Sequence, residues 1–202
     1  MRASVVAVVL AGGKSSRMGQ DKAALYSPKL QNTLLEQCLD AVMRLDDCEV
    51  LISSNTHPQG IKDQVAECGP LSGIHAITTL YHAHPPAIGY LFIAVDMPNL
   101  AQPTLEALLQ FGQQNHSAAY INNSYLPCFL PANPQLTRLV NQQLRSQDWS
   151  LRALLANCGA KSMSWQDTQQ LVNINEPQDW QQYCGQYHDN KQSSQNIRCN
   201  HD

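Results

Sequence analysis

The stretch Val5-Val6-Ala7-Val8-Val9-Leu10-Ala11-Gly12-Gly13-Lys14 decides the fold class. Its first six residues form an apolar, mostly β-branched run, which is typical of a strand buried on both faces of a parallel sheet. With Arg2 before it, the run also imitates a minimal secretory signal. It is at the lower length limit for such a signal and stops at a glycine turn followed by charges. A buried strand is therefore the better interpretation.

Beyond this strand, apolar runs alternate with helical patterns, which is typical of βαβ units around a parallel sheet. We predict an α/β fold of three layers, a Rossmann-like, mostly parallel sheet with helices on both faces. Strands are predicted at 4–10, 48–53, 89–95, 117–122, 126–130 and 171–174, and helices at 33–45, 72–82, 103–111 and 135–145, with a capped helix start at Ser150. Residues 1–183 are predicted to form a single domain, and the polar segment 184–202 a flexible C-terminal tail.

Composition narrows the class of protein. The chain has 202 residues, 43% of them hydrophobic and 14% charged, which suits one compact domain. A net charge of −3 argues against the broad basic surface of a protein that binds nucleic acid or an anionic membrane. No apolar stretch approaches the ~20 residues needed to cross a bilayer. Seven cysteines at irregular spacing, with no CxxC pair, predict free thiols and a cytoplasmic protein.

The loop after the first strand carries the strongest chemical signal. Its glycines let backbone N–H groups approach an anion, and Lys14, Arg17 and Lys22 add three cations, which suits a triphosphate. The loop is not a Walker A motif, because Val8 stands where the leading glycine must be, and it has no GxGxxG pattern. A glycine turn followed by a solvated charged loop is the alternative interpretation.

Two further elements lie where strands are predicted to end. Asp96 follows the apolar run 91–95, at the carboxyl edge of the sheet, where a carboxylate can hold magnesium. The same tetrapeptide also suits a turn aspartate before Pro98. The segment 69–73 combines a tight turn with a helix start, so its backbone N–H groups either line a base or ribose pocket or simply open a helix.

Four motifs together resemble a known family. The loop LAGGKSSRMGQDK at 10–22 resembles the signature of the MobA-like nucleotidyltransferases, which include the molybdenum cofactor guanylyltransferases. GPLSGI at 69–74, VDMP at 95–98 and NINEP at 173–177 resemble further family elements, in the same order. The resemblance implies a Rossmann-like domain that transfers GMP from GTP to molybdopterin, with Mg²⁺, and releases pyrophosphate.

The resemblance and the residues together assign the site. Lys22, Arg17 and Asp96 are the predicted catalytic residues, and Asp96 is the predicted metal ligand. Binding of nucleotide and second substrate is assigned to Leu10, Ala11, Gly12, Gly13, Lys14, Lys22, Asn55, Asp63, Gly69, Pro70, Leu71, Asn173 and Asn175.

Base recognition is predicted at Asp63, because guanine needs an acceptor for its N1–H and exocyclic amine. The loop from Asp63 to Gly69 is one residue shorter than the family spacing, and Thr56 stands where the family often has arginine after the asparagine that matches Asn55. Asn173 and Asn175 are two residues apart, so in a strand they point the same way and can donate to a pterin or its phosphate.

The predicted reaction has rivals that the sequence leaves open. One is a CTP-dependent molybdopterin cytidylyltransferase or a sugar-phosphate nucleotidyltransferase that shares the loop. Another is a non-catalytic escort for molybdopterin, which would release no pyrophosphate. The predicted partners are GTP and molybdopterin as substrates, together with molybdoenzyme apoproteins or other cofactor-biosynthesis proteins, but neither nucleic acid nor a membrane.

Overall fold

The computed structural model describes residues 4–12, 21–27, 31–81 and 87–185, and its elements have the following bounds. The strands are β1 (Val5–Leu10), β2 (Tyr26–Ser27), β3 (Asn32–Thr33), β4 (Cys48–Ser53), β5 (Gly89–Ala94), β6 (Ala119–Ile121), β7 (Ser124–Pro131) and β8 (Lys161–Met163). The helices are α1 (Leu34–Val42), α2 (Pro70–Leu80), α3 (Gln102–Gln114), α4 (Pro134–Arg145) and α5 (Leu151–Asn157). Residues 177–185 are also helical.

Six of the strands form one sheet in the order β4-β1-β5-β7-β6-β8. Strand β1 lies between β4 and β5 and pairs with both in parallel, and β6 pairs with β8 in parallel. Strand β7 is antiparallel to both of its neighbours. The predicted α/β fold with a mostly parallel sheet is confirmed.

Each face of the sheet has its own core, because successive strand residues point to opposite sides. On one face, Val5, Ala7 and Val9 of β1 pack in a cluster with apolar residues of α1 and α3. On the other face, residues such as Val6 and Val8 of the same strand pack with α2, α4 and α5. The predicted helices on both faces of the sheet are confirmed, and β1 is buried throughout.

Helix starts follow the predicted capping chemistry. Thr33 accepts a hydrogen bond from the Glu36 N–H, and the Glu36 side chain accepts from the Thr33 N–H, which completes a capping box at α1. Ser150 accepts from the Ala153 N–H at the start of α5.

One predicted strand is wrong. Residues 171–174 do not pair as a strand, since a 3₁₀ turn over Thr168–Leu171 precedes a segment without regular structure. The apolar positions in this stretch signal burial rather than sheet pairing: Ile174 is buried, and its N–H donates to the Asp96 carbonyl beyond the end of β5. The sequence also missed β8, whose three residues are too few and too polar to show a periodic pattern.

Some predictions concern properties other than strands and helices. The six cysteines that the structure describes are free thiols. Within the described ranges, no helix is long and apolar enough to cross a membrane. The predicted tail over 184–202 lies outside the described residues from position 186 onwards. The extent of a single domain over 1–183 stays a prediction.

Candidate active site

The carboxyl ends of three neighbouring strands meet at one point of the sheet. Leu10, at the end of β1, is in register with Ser53 of β4 on one side and Ala94 of β5 on the other. The connections from β1 and from β4 run over opposite faces, through α1 and α2 respectively. Ligands of open α/β sheets bind in the crevice that such a reversal creates.

A cavity of about 610 Å³ opens at these strand ends. It lies among the ends of β1 and β4, the following loops and the first turn of α2. Its lining comprises Leu10, Ala11, Gly12, Asp21, Ser53, Asn55, Thr56, Asp63, Ala66, Glu67, Gly69, Pro70, Ser72 and Gly73. We call it the large cavity; it is of the size that small-molecule sites have.

A second cavity, of about 250 Å³, shares a wall with the first and extends to the end of β5. The shared wall is formed by Leu10, Ala11, Gly12, Asp21, Gly69 and Pro70. The small cavity adds Lys22, Ala94, Val95, Asp96 and Leu126. The two cavities therefore place the predicted base-binding residues beside Lys22 and Asp96, two of the three predicted catalytic residues.

Lys22, Asp96 and Asn175 form one polar cluster at the small cavity. The Lys22 Nζ donates to the Asp96 Oδ2 at 2.7 Å and to the Asn175 Oδ1 at 3.0 Å. The side chains of Lys22 and Asp96 are each only 16% exposed, so their pairing is screened less than a surface ion pair. The fold thus brings Lys22 together with two residues that follow it in the sequence by 74 and 153 positions.

The second oxygen of Asp96 differs from the first, which accepts from Lys22. Its Oδ1 is buried and without a hydrogen-bond partner among the described residues. A buried carboxylate oxygen left in this state is costly unless a ligand completes it. A hard divalent cation, which prefers carboxylate oxygen, fits this atom. The described residues contain no cluster of three or more His, Cys, Asp or Glu side chains that could hold a metal by themselves.

Asn55 and Asp63 both line the large cavity and form two hydrogen bonds with each other. The Asn55 Nδ2 donates to the Asp63 Oδ2 at 2.8 Å, and the Asp63 N–H donates to the Asn55 Oδ1 at 2.9 Å. This reciprocal pair fixes the carboxylate near Gly12, since a Cβ at Gly12 would lie 3.9 Å from the Asp63 Oδ2. Asp63 therefore presents an acceptor at the cavity that begins at the glycine loop.

The start of α2 approaches the strand ends closely. Gly69 precedes the helix with φ of 59°, a conformation that favours glycine. Gly73, in the first turns, has no room for a side chain, because a Cβ there would lie 2.4 Å from the Ser53 Oγ and 2.7 Å from the Leu10 Cδ2. The missing side chain lets the helix form one wall of the large cavity.

Two glycine substitutions are expected to separate folding from binding. Gly73→Ala requires the Ser53 and Leu10 side chains or α2 to shift, so we expect it to lower the free energy of unfolding by about 1–3 kcal/mol. At Gly12 the nearest described atoms lie 3.8 Å and more from an added Cβ, so the thermal unfolding of Gly12→Ala should change little, whereas a methyl group at the cavity wall should weaken nucleotide binding. Thermal unfolding and nucleotide titration of both variants check this. Equal destabilisation by the two substitutions would contradict it.

The Cys38 Sγ lies 4.0 Å from the carbonyl oxygen of Ala94, which lines the small cavity. Burial, and secondarily the charge of Asp96, raise the pKa of its thiol to about 12. The thiol is therefore protonated at neutral pH, and a thiolate is what reacts.

Some of the predicted site residues lie outside the described residues, and others do not present their side chains as predicted. Gly13, Lys14 and Arg17 lie outside the described residues. Leu71 is fully buried in the core on the α2 face, so only its backbone can face a ligand. Asn173 is exposed, and the shared orientation predicted for it and Asn175 loses its basis because residues 171–174 do not form a strand.

Sequence reasoning gave no site role to Asp21 or Leu126, which both line the cavities. Asp21 caps the 3₁₀ turn Lys22–Ala24 by accepting from the Ala23 N–H, and it also accepts a hydrogen bond from the Thr56 hydroxyl at 3.3 Å. It was part of the quoted loop, and its position next to Lys22 was the available signal. Leu126 lines the small cavity from β7. The sequence analysis assigns no site to that strand.

An α/β sheet with a glycine loop, a strand-end aspartate and a cavity between them is typical of nucleotide-binding proteins. The sequence profile described as "MobA-like NTP transferase domain" matches residues 7–162. The chain therefore belongs to the MobA-like NTP transferase family.

Individual relatives agree with the family. The chain is 32% identical over 179 residues to the molybdenum cofactor guanylyltransferase of Xanthomonas euvesicatoria, covering 86% of this chain and 90% of the relative. It is 26% identical over 179 residues to a probable molybdenum cofactor guanylyltransferase of Mycolicibacterium paratuberculosis, covering 83% and 89%. The solved structure of molybdopterin-guanine dinucleotide biosynthesis protein A from Archaeoglobus fulgidus has the same fold, with a TM-score of 0.65 and 18% identity over 88% of this chain and 95% of that one.

Proposed function

We propose that this protein transfers GMP from GTP to molybdopterin, forming the guanine dinucleotide cofactor and releasing pyrophosphate. The observation that carries the proposal is the cluster of Lys22, Asp96 and Asn175, of which Lys22 and Asp96 line the small cavity. It joins a cation, an amide and a carboxylate, one oxygen of which has no hydrogen-bond partner among the described residues. Relatives that cover most of the chain are named as guanylyltransferases of this cofactor.

In this proposal the large cavity receives the nucleotide base and ribose. Asp63, fixed by Asn55, accepts from the N1–H and amine edge of guanine. The backbone after β1 and at the start of α2 lies next to the phosphates, where N–H groups and helix ends favour anions. Gly13, Lys14 and Arg17 belong to the same loop and are proposed to add donors and positive charge.

Asp96 is proposed to bind Mg²⁺ through its buried Oδ1, which has no hydrogen-bond partner in the part of the chain that the structure describes. A divalent cation bound there would neutralise negative charge on the phosphate oxygens. Lys22 contributes a fixed positive charge next to that carboxylate, and the charge that develops on the departing pyrophosphate is stabilised by such preorganised groups.

The attacking group of this reaction needs no protein base. Molybdopterin carries a phosphate monoester, whose second pKa near ~6 leaves it largely ionised at neutral pH. The protein therefore has to bind and orient two anions rather than remove a proton. Asn173 and Asn175 are proposed to bind the pterin or its phosphate at the small cavity, next to Lys22.

A nucleotide panel tests the function. Purified protein is incubated with Mg²⁺, molybdopterin and GTP, CTP, ATP or UTP in turn, and the products are identified by mass spectrometry with pyrophosphate measured in parallel. We expect the guanine dinucleotide and one equivalent of pyrophosphate with GTP. Omission of molybdopterin is the control.

Each rival predicts a different product in the same panel. A cytidylyltransferase would give the cytosine dinucleotide, and an escort would bind molybdopterin without releasing pyrophosphate. A sugar-phosphate enzyme would release pyrophosphate only when a sugar phosphate replaces molybdopterin. Delivery of the product to a molybdoenzyme apoprotein, like a cytoplasmic location, stays a prediction from the sequence.

Base selectivity should depend on Asp63. Asp63→Asn keeps the shape of the side chain but removes the charge that accepts from guanine, so discrimination between GTP and the other nucleotides should fall by about 1–3 kcal/mol. The measurement is kcat/KM for each nucleotide with both proteins. Glu67→Gln is the matched comparison, because Glu67 is another carboxylate in the lining of the same cavity. Reduced selectivity in Glu67→Gln but not in Asp63→Asn would move base recognition to Glu67.

A further inference from the structure

A single carboxylate oxygen fixes the segment that brings Asn175 to the site. The Asp179 Oδ2 accepts the N–H groups of Asn175 and Glu176, each at 2.8 Å. Asp179 belongs to the helical residues 177–185, which follow this segment directly. Both peptide groups are therefore tied to the start of the helix by one side chain.

The other side of the segment is tied to the sheet. The Ile174 N–H donates to the Asp96 carbonyl at 2.8 Å, and the Ile174 side chain is buried in the core on the α1 face. Asn175 thus lies between two anchors, Ile174 at the end of β5 and Asp179 on the helix. Its backbone has little freedom to move while both anchors hold.

The Asn175 side chain extends this arrangement to the cluster. Its Oδ1 accepts from the Lys22 Nζ at 3.0 Å, and the same ammonium donates to Asp96 at 2.7 Å. Hydrogen bonds therefore connect Asp179, through Asn175, to the pair proposed to act on the substrate phosphates. The N–H groups of Asn175 and Glu176, and secondarily the charge of Lys22, lower the pKa of Asp179, so it is ionised at neutral pH.

We propose that Asp179 is a positioning residue for nucleotidyl transfer, which holds the Asn175 amide against Lys22 and thereby fixes the ammonium at Asp96. Asp179 touches neither Lys22 nor Asp96 in the hydrogen bonds described above, and it acts through Asn175. The inference rests on the proposed function, since the effect on transfer exists only if the cluster performs it.

The test is a double-mutant cycle between Asp179 and Asn175. Asp179→Ala is expected to lower kcat about tenfold, the scale of losing a group that orients one in direct contact with the reaction centre. The KM for GTP should change less, because the substitution lies outside the large cavity, where the base is proposed to bind. In an Asn175→Ala background the same substitution should add little, because the residue through which Asp179 acts is already gone.

Two other variants separate position from charge. Asp179→Asn keeps an oxygen that accepts both N–H groups, so it should retain most of the turnover. Asp179→Glu keeps the charge but displaces the acceptor by a methylene group, so it should lose turnover while remaining folded, and it replaces Asp179→Ala in the cycle if the alanine variant folds poorly. Glu36→Ala is the matched control, because Glu36 likewise accepts a backbone N–H at a helix start, that of Thr33, without reaching the cluster.

Amide hydrogen exchange tests the contact independently of any activity. In Asp179→Ala the N–H groups of Asn175 and Glu176 should exchange faster than in the unmodified protein, whereas Glu36→Ala should leave them unchanged. Unchanged exchange, or the same loss of kcat in both backgrounds, would overturn the inference. If the unmodified protein transfers no nucleotide, the proposed function fails, and the exchange rates still decide whether Asp179 holds Asn175.

Discussion

Replacing Asp96 by asparagine is expected to lower turnover about 100- to 1,000-fold, the range measured when one electrostatic stabiliser is removed from an active site. The amide keeps the size of the carboxyl group, and its oxygen still accepts from Lys22. It cannot supply the negative charge that the buried Asp96 Oδ1 offers to a divalent cation. Folding should survive, and GTP should still bind in the large cavity.

Turnover against Mg²⁺ concentration, measured beside thermal unfolding, checks this expectation. Asp40→Asn is the control, since Asp40 also accepts a side-chain hydrogen bond, from Asn32, but lies outside both cavities. It should leave turnover unchanged. Near-normal turnover of a folded Asp96→Asn variant at ordinary Mg²⁺ would falsify the metal assignment and leave Asp96 as a turn residue before Pro98.

The sequence predicted the position of Asp96, just beyond the end of β5, because a local pattern carries the information. An apolar run ending in an aspartate places that residue at the carboxyl edge of a parallel sheet, whatever the rest of the chain does. Strand β4 was predicted with its observed bounds for a similar reason, since the apolar run Val50-Leu51-Ile52 leads into a polar turn. Elements with their own periodicity can therefore be located from the sequence alone.

The segment near Asn175 could not be predicted in the same way. Its apolar residues suggested a strand, but one of them is buried against the end of β5 and the segment pairs with no strand. What holds it is Asp179, a polar residue whose two contacts are with backbone groups that any sequence would offer. Such contacts depend on where the chain returns to the sheet, which is a property of the tertiary fold.

Cavity walls show the same division. The glycine loop and the turn at Gly69 were visible as motifs, because glycine at these places has a conformational or steric reason. The reciprocal pair of Asn55 and Asp63 was not visible as a pair, although both residues had been singled out for other reasons. Their partnership depends on the loop after β4 folding back on itself, where Ile61 bridges to Ser53.

Replacing Lys22 is expected to cause the second large loss of turnover. Lys22→Met keeps the aliphatic stem but removes the ammonium that Asp96 and Asn175 hold, so we expect kcat to fall about 100-fold or more. Binding of GTP should weaken much less, because Lys22 does not line the large cavity, where the base is proposed to bind. An interaction that strengthens in the transition state also acts on kcat rather than on ground-state affinity. Turnover and a separate nucleotide titration measure the two quantities.

The affinity for Mn²⁺, measured without nucleotide, tests the effect of the Lys22 charge on Asp96 independently of turnover. The Lys22 ammonium lies 2.7 Å from the Asp96 carboxylate and opposes the approach of another cation, so Lys22→Met should bind Mn²⁺ more tightly than the unmodified protein. Lys161→Met is the matched control, because the Lys161 Nζ also donates to an asparagine oxygen at 3.0 Å, that of Asn115, far along the sheet at β8. Its Mn²⁺ affinity and turnover should both stay unchanged. Equal losses of kcat and GTP affinity in Lys22→Met would instead assign Lys22 to ground-state binding of the triphosphate.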